Sequence, residues 1–536
     1  MDFEVLFRRK KKTGTMLEKK SPSIDIEGMP LANLFMRVAP GYQNSLLLRD
    51  TVGIRAAQHK YGVFILWDTL YPIRDLLWNG QIKEAKELYL SMLGYPYLEN
   101  SPWVISHMVL ILDEILSFEC DPAFLETSWS YMKQYLETML KFTNPATGMI
   151  VSYMNTGVDI PSELGLAGLY AAPCINAWWY GALRILENLA LNREDNETAE
   201  KTAPLIKRLE ASYLKGFLSV ENGYLRSGIN EDLSHGSIEA FQNTSTIGLD
   251  YPFGAYLMRD AIVSLAQYQK HKLYHPAGYT AVSWDTEIEC EMWKSVHMNH
   301  HLGHEARLAR MAGMLPEAYR IVECFLESFD FYKTAIETFN YSGCLGNETQ
   351  TCDWQTFAAT SVCEALRSGL AGIARHRGGL YYIPADDYRK ICLRNLRLGK
   401  TTINVVISGK GEYFEPVKLN GGILAGTAQL PADRIVGKSL LWEIKRTNVP
   451  FQTPVLLNTF GLPVVNFETF ANGFGFSAGA CGHFPVEVYS EKETVVLQNG
   501  QEVSFQFDRK RKRVWMDLHF KHLDYIKIYF KKRRQT

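Results

Sequence analysis

No apolar run in the 536-residue chain approaches the roughly 20 residues that a membrane-spanning helix needs. The first twenty residues are basic but carry no apolar core, so no signal peptide is expected. Excess charge of one sign is also lacking. Lys and Arg number 57 against 58 Asp and Glu, a net charge of −1, which argues against a polyanion-binding protein. The basic runs at 8–12, 508–513 and 531–535 therefore read as solvated ends and turns, not nucleic-acid contacts. Cysteine is sparse: nine residues, with no CxxC pair, and Cys344 and Cys352 in a glycine-bearing loop. Thiols in a reducing, cytoplasmic setting are expected, without a zinc or disulfide framework. Segments 409–413 and 420–426 contain glycine but match no phosphate loop, so no cofactor is expected and they read as β-turns.

What the chain does have is helical periodicity. From about residue 44 to 373, apolar residues recur at three and four, as in 82–93, 102–118, 122–142, 174–191, 197–214, 316–329 and 354–373. With 47–60, 67–79, 253–268, 290–302 and 304–313 this makes about twelve helices. Gly80, Gly94, Pro102, Pro122 and Pro316 punctuate their ends. Connections at 143–172, 215–252 and 330–353 are long and polar, whereas others are short. Long loops inside a compact domain are usually functional. Their alternation with short ones predicts a closed ring of helical hairpins, with one rim building a site. After 375 the texture becomes β-rich, with Asn-Gly turn signals at 420–421 and 499–500. The expected organisation is a basic N-terminal extension at 1–43, a helical catalytic domain at 44–375 and a β-rich module at 376–536.

Two acids in the long loops stand out. Asp159 lies in NTGVDIPSELG, and Glu337 lies in AIETFN directly after a helix. Two carboxylates facing one another across a polyol pocket are what glycosidic hydrolysis requires. One protonates the leaving oxygen, the other activates water, and an inverting pair stands roughly 6.5–9.5 Å apart. Taken singly, each acid also reads as a solvated loop residue or a helix cap. The pairs Trp67-Asp68, Trp284-Asp285 and Asp353-Trp354 each set an indole beside a carboxylate at a predicted loop–helix junction. Sugars stack their CH faces on indoles and need carboxylate partners for their hydroxyls. The plainer alternative is that these acids cap helices while the tryptophans fill the core. In HMNHHLGHEAR, His300 and His304 are spaced as zinc ligands would be. No Glu lies between them and Gly303 interrupts the helix, so the stretch reads as a helix junction and no metal is expected.

Loop by loop, the chain resembles the (α/α)6 toroid glycosidases of the trehalase and processing α-glucosidase I type. LWDTLYPIRDLLWNGQIKEAKELYLSML at 66–93 is similar to their first hairpin. TGVDIPSE and APCINAWWYGALRIL, SWDTEIECEMW, and AIETFN with GNETQTCDWQTFAATSVCEAL follow in the same order over about 44–373. The resemblance implies a mainly α fold, an (α/α)6 toroid with a C-terminal β-rich module. It implies an inverting glycoside hydrolase with Asp159 as general acid and Glu337 as general base. It further implies that Trp67, Asp68, Asn176, Trp284, Asp285 and Glu348 line the sugar pocket; the Asp353-Trp354 pair adds Trp354. The chain departs from the trehalase pattern at 60–68 and 98–103, which lack its arginines, and at Val158, where a tryptophan usually precedes the acid. Trehalose is therefore not the expected substrate. The large N-terminal β-sandwich common in such enzymes has no counterpart ahead of residue 44.

Other acids compete for the donor role: Glu163, four residues after Asp159, and Glu231, Asp232 and Glu239 in the loop 229–241. The substrate expected is a small oligosaccharide or glycoside, with no nucleic-acid or membrane partner. A glycoside phosphorylase on the same fold would need basic or hydroxyl groups near the base; 330–353 contains Lys333, Ser342, Thr349 and Thr351 but no arginine, which disfavours it. A non-catalytic sugar-binding toroid is the rival from outside enzymology.

Overall fold

A computed structural model describes residues 21–48, 53–54, 56–57, 66–94, 101–151, 170–230, 243–275, 278–283, 285, 294, 296–340 and 354–531. Its helices sort by how they are buried. Pro102–Phe118, Pro173–Asn192 and Leu302–Met311 are enclosed on nearly every side. Ile82–Met92, Pro122–Leu140, Asn196–Phe217 and Leu315–Tyr332 bury one stripe only, such as Ala85, Leu88, Tyr89 and Met92 on the first. Apolarity all round explains the enclosure of Pro102–Phe118. Pro173–Asn192, which packs between Pro102–Phe118 and Asn196–Phe217, and Leu302–Met311 also bury charged residues, such as Arg184 and Glu187 on the former and Glu305 and Arg307 on the latter. Caps follow the side-chain chemistry. Asp121 accepts from the N–H groups of Ala123 and Phe124, and Asp195 from that of Thr198.

The expectation of a mainly α toroid is corrected. Of the described residues 44% are helix and 28% strand, an α+β composition, and the described helices do not make a clear closed ring of six regular hairpins. The physical reason lies in how the inner helices are broken. Pro72 separates Leu66–Leu70 from Ile73–Trp78. Pro252–Leu257 is a single short helix entered from the 3-10 turn Asn243–Asp250. Thr356–Glu364 runs on as the π-helical turn Ala365–Leu370. Where a helix was expected over 290–302, the described part is the strand Val296–Met298 and the 3-10 turn Asn299–His301.

Strands occupy most of the chain beyond 373. Ile391–Leu398, Thr401–Gly409 and Ser439–Thr447 are the middle of a seven-stranded sheet, the last two running parallel. Ser23–Ile26 adds to its edge antiparallel, with Ser23 opposite Arg394, so residues from near the N-terminus complete a C-terminal sheet. The helix Pro30–Leu46 follows that strand directly. A four-stranded sheet holds Gly482–Tyr489 and Arg513–Phe520, and a five-stranded sheet holds Gly473–Ala478 and Tyr525–Phe530. Both Asn-Gly pairs sit where expected: Asn420 and Gly421, and Asn499 and Gly500, all have positive φ and close tight hairpins.

The β-rich part is bound to the helices by a polar seam. Asn188 exchanges two hydrogen bonds with the backbone of His483 (2.9 and 3.2 Å), and Asn192 does the same with Cys481 (3.0 and 2.7 Å). One turn earlier, buried Arg184 pairs with Asp517 at 2.5 Å and Glu210 at 3.2 Å. Gly482 lies where this approach is tightest: its φ is +125°, and a Cβ there would stand 2.2 Å from Asn188 Oδ1.

Candidate active site

Three segments meet around Asp68. The short helix Leu66–Leu70 carries it, and Thr69 anchors that helix by donating to the Ile54 carbonyl at 3.1 Å. Gln355, immediately before the helix Thr356–Glu364, caps that helix by accepting from the Ala358 N–H. Its Nε2 donates to Asp68 Oδ1 at 2.9 Å, and its backbone N–H reaches the Ala335 carbonyl at 2.8 Å. One residue thus fixes the helix start, the segment leading to Glu337, and Asp68. Glu337 directly precedes the strand Thr338–Asn340, which pairs with Val296–Met298. Its carbonyl accepts from the Asn299 N–H at 2.9 Å, and the neighbouring His300 sets Nε2 3.4 Å from Glu337 Oε1. His300 is held from behind, its carbonyl accepting from Ser361 Oγ at 2.7 Å. Glu337 keeps some solvent access, whereas Asp68 is 7% exposed.

Aromatic rings run inward from these carboxylates. Phe357 packs on His300 (centroids 5.2 Å) and on Tyr71 (4.0 Å). Tyr71 meets His107 at 6.0 Å, His107 stacks on Trp178 at 5.3 Å and 13°, and Trp178 stacks on Trp103 at 6.2 Å. Burial depresses the His107 pKa to about 3, so its ring is a neutral plate among aromatic ones. The Tyr71 hydroxyl hydrogen-bonds the Asp250 carboxylate.

Burial, above all, pushes the Asp68 pKa up to about 7; the nearby Glu337 charge adds to the rise, while His300 and the Gln355 hydrogen bond oppose it. Asp68 therefore holds a proton up to near-neutral pH, next to a second carboxyl group that faces solvent. A proton-bearing carboxyl and a base within electrostatic reach, backed by aromatic faces, can donate to one oxygen and accept from another.

The residues singled out from sequence are distributed unevenly. Asp68 and Glu337 lie within electrostatic reach of one another. Asp159, Trp284 and Glu348 lie outside the described residues, as do the competing acids Glu163, Glu231, Asp232 and Glu239 and the side chain of Trp67. Asn176 is wholly buried: its Oδ1 accepts from the Ile150 N–H at 2.7 Å and its Nδ2 donates to the Ala172 and Ile150 carbonyls. Trp354 is wholly buried too, stacked on Tyr42 at 4.0 Å and on Phe35 at 5.9 Å. Asp285 is exposed and ion-paired with Lys272. Sequence reasoning passed over Gln355, Phe357 and Tyr71, and read His300 as a plain helix junction. Gln355 carried a usable signal, a polar residue at the cap position opening an apolar helix. Among the described residues no group of three His, Cys, Asp or Glu is disposed to hold a metal ion, and no helix is long and apolar enough to cross a membrane.

No protein-family model matches the chain. No curated protein matches it either. Solved structures do. One named "Sialidase" aligns with a TM-score of 0.56 and 13% identity over 72% of this chain and 38% of its own. A GH78 family rhamnosidase of Bacillus sp. GL1 aligns with a TM-score of 0.51 and 12% identity over 73% of this chain and 42% of its own. The chain thus spans well under half the length of either. At such identities the likeness is one of fold, and that fold is one found in glycoside hydrolases.

Proposed function

We propose that the chain is a glycoside hydrolase acting on a small oligosaccharide or glycoside with inversion, Glu337 serving as general base and Asp159 as general acid. The observation that carries the reading is the meeting of Asp68 and Glu337. Two carboxyl groups converge with His300 and Gln355 beside an aromatic floor. Glu337, with some solvent access and His300 against its Oε1, suits a base that must hold a water molecule. Asp68, which keeps its proton to near-neutral pH, suits a hydrogen bond to a sugar hydroxyl from inside the pocket. Segment 152–169, which contains Asp159, leads directly into the strand Tyr170–Ala171 and the helix carrying Trp178. The names of the fold neighbours, a sialidase and a rhamnosidase, agree with cleavage of glycosidic bonds.

A second reading moves the proton donor to Asp68. It is favoured by the raised pKa of that carboxyl and its electrostatic reach to Glu337. The domain division 44–375 and 376–536 belongs to the proposal as well, with the catalytic groups on the helical side. The test is a panel of chromogenic glycosides assayed with wild type, Asp159→Asn, Asp68→Asn and Glu337→Gln. Loss of turnover in the Asp159 and Glu337 variants, with Asp68→Asn retaining part of it, supports the first reading. Turnover surviving in Asp159→Asn but not in Asp68→Asn supports the second. No turnover by wild type on any glycoside, with or without phosphate, rejects both.

A further inference from the structure

Behind Glu337 lies a row of three polar side chains with almost no exposure: Asn299 and Glu305 at 0% and His297 at 1%. They are linked end to end. Glu305 Oε2, on the helix Leu302–Met311, lies 3.2 Å from His297 Nε2, and His297 Nδ1 lies 3.0 Å from Asn299 Oδ1. Asn299 Nδ2 then donates to the Ile336 carbonyl at 2.7 Å, and the Asn299 backbone N–H donates to the Glu337 carbonyl at 2.9 Å.

Hydrogen-bond chemistry orients this row. A carbonyl only accepts, so the amide nitrogen of Asn299 faces Ile336 and its oxygen faces His297. That oxygen also only accepts, so His297 Nδ1 carries a hydrogen and donates it. Nε2 and the Glu305 carboxyl share a further proton, borne by one or the other, since two lone pairs cannot bond. Apolar side chains of the same shape would fill the space at little or no cost in stability, so packing alone does not account for three buried polar groups in sequence.

The row ends on the backbone of Glu337. The carbonyls of Ile336 and Glu337 belong to the two peptide planes that flank the Glu337 Cα. Holding both planes fixes φ and ψ of Glu337, its only soft backbone angles, and with them the direction of its Cα–Cβ bond. The ladder between Val296–Met298 and Thr338–Asn340 stops at Met298 and Thr338, one residue short of Glu337, and Asn299 takes over there. Gln355 holds the plane before, donating from its backbone N–H to the Ala335 carbonyl.

With Glu337 taken as general base, the reading on which this rests, we propose that Asn299, itself held by His297 and Glu305, is the positioning residue that aims the Glu337 carboxyl. Asn299→Ala keeps the backbone bond to Glu337 but releases the Ile336 carbonyl. It should lower kcat about 10–100-fold on an accepted chromogenic glycoside, with KM changed by less than about twofold. Placed on Glu337→Gln, it should lower turnover no further, because it acts only through that carboxyl. Asn299→Asp, of equal size but with an acceptor facing Ile336, should show the same split and serves if the alanine variant does not fold. Glu305→Gln can still donate to His297 Nε2 and should recover most of the turnover lost in Glu305→Leu. Crystal structures of wild type and the Asn299 variant should differ by about 1 Å or more at the Glu337 carboxyl. Wild-type kcat in the Asn299 variants while Glu337→Gln is impaired, a further loss in the double variant, or an unmoved carboxyl would each overturn the proposal and leave the base reading standing. Full turnover by Glu337→Gln would overturn the base reading and the proposal with it.

Discussion

Asp68→Asn is a substitution whose effect on stability should change with pH in a calculable way. The Asp68 carboxyl goes from an ordinary 3.8 to about 7 on folding, chiefly because it is buried. At about 1.4 kcal/mol per pH unit, that difference corresponds to ~4 kcal/mol. Below about pH 4 the carboxyl is protonated in both states and contributes nothing. Between about pH 4 and 7 the native state retains a proton that the unfolded chain has released, so stability falls as pH rises. Above about 7 the native carboxyl must ionise in its buried position and the whole penalty is present. Asparagine has the same shape, never ionises, and can still accept through Oδ1 from Gln355 Nε2, which now donates to Asp68 at 2.9 Å. Urea denaturation of both proteins at pH 4, 6 and 8 should therefore give equal stability at pH 4. At pH 8 the variant should be more stable by up to ~4 kcal/mol, a figure that already contains the attraction of His300 for the ionised carboxylate. A variant destabilised equally at every pH would refute the reasoning, because it would mean that Asp68 is ionised and well solvated in the folded chain.

Glu337→Gln should lower turnover on any accepted glycoside by about 10²–10⁴-fold, with an unchanged circular dichroism spectrum, as expected for loss of a general base. Trp354→Ala should cost about 3–5 kcal/mol in chemical denaturation, because the indole is enclosed between Tyr42 and Phe35; a change in KM without loss of stability would instead mark it as a sugar platform. Arg184→Met strands Asp517 and Glu210 at the seam between helices and strands. It should cost about 1–3 kcal/mol, because the two carboxylates left behind are each 30% exposed and partly regain water, and limited proteolysis should then release the β-rich part first.

Local patterns in the sequence carried the helices well. The three-and-four periodicities of 102–118 and 82–93 lie where the structure has Pro102–Phe118 and Ile82–Met92, though the periodicity did not foretell that the first is enclosed on nearly every side. Asp68 and Glu337 were legible as acids at element boundaries. Their proximity was expected only through the family resemblance and not from any local pattern, since Gln355 reaches Asp68 across 287 residues and Asn299 reaches the Glu337 carbonyl from another element. The α+β character was underestimated for a similar reason. Ser23–Ile26 pairs with Ile391–Leu398 across most of the chain, and no local pattern announces such a partner. Trp354 shows the opposite failure: an indole beside an acid looked like a sugar platform, while packing against Phe35 and Tyr42 gives it a core position. Nothing in HMNHHLGHEAR marks His300 as the neighbour of Glu337, because that contact arises from a strand pairing, Val296–Met298 with Thr338–Asn340.

The most direct test of the central claim is proton NMR of the product from the first accepted glycoside, recorded within the first minutes of turnover before mutarotation. Early appearance of the anomer opposite to the substrate, in wild type and not in Glu337→Gln, is the predicted result. Early appearance of the same anomer as the substrate would contradict the account, since it would require a covalent intermediate in place of a water held by Glu337.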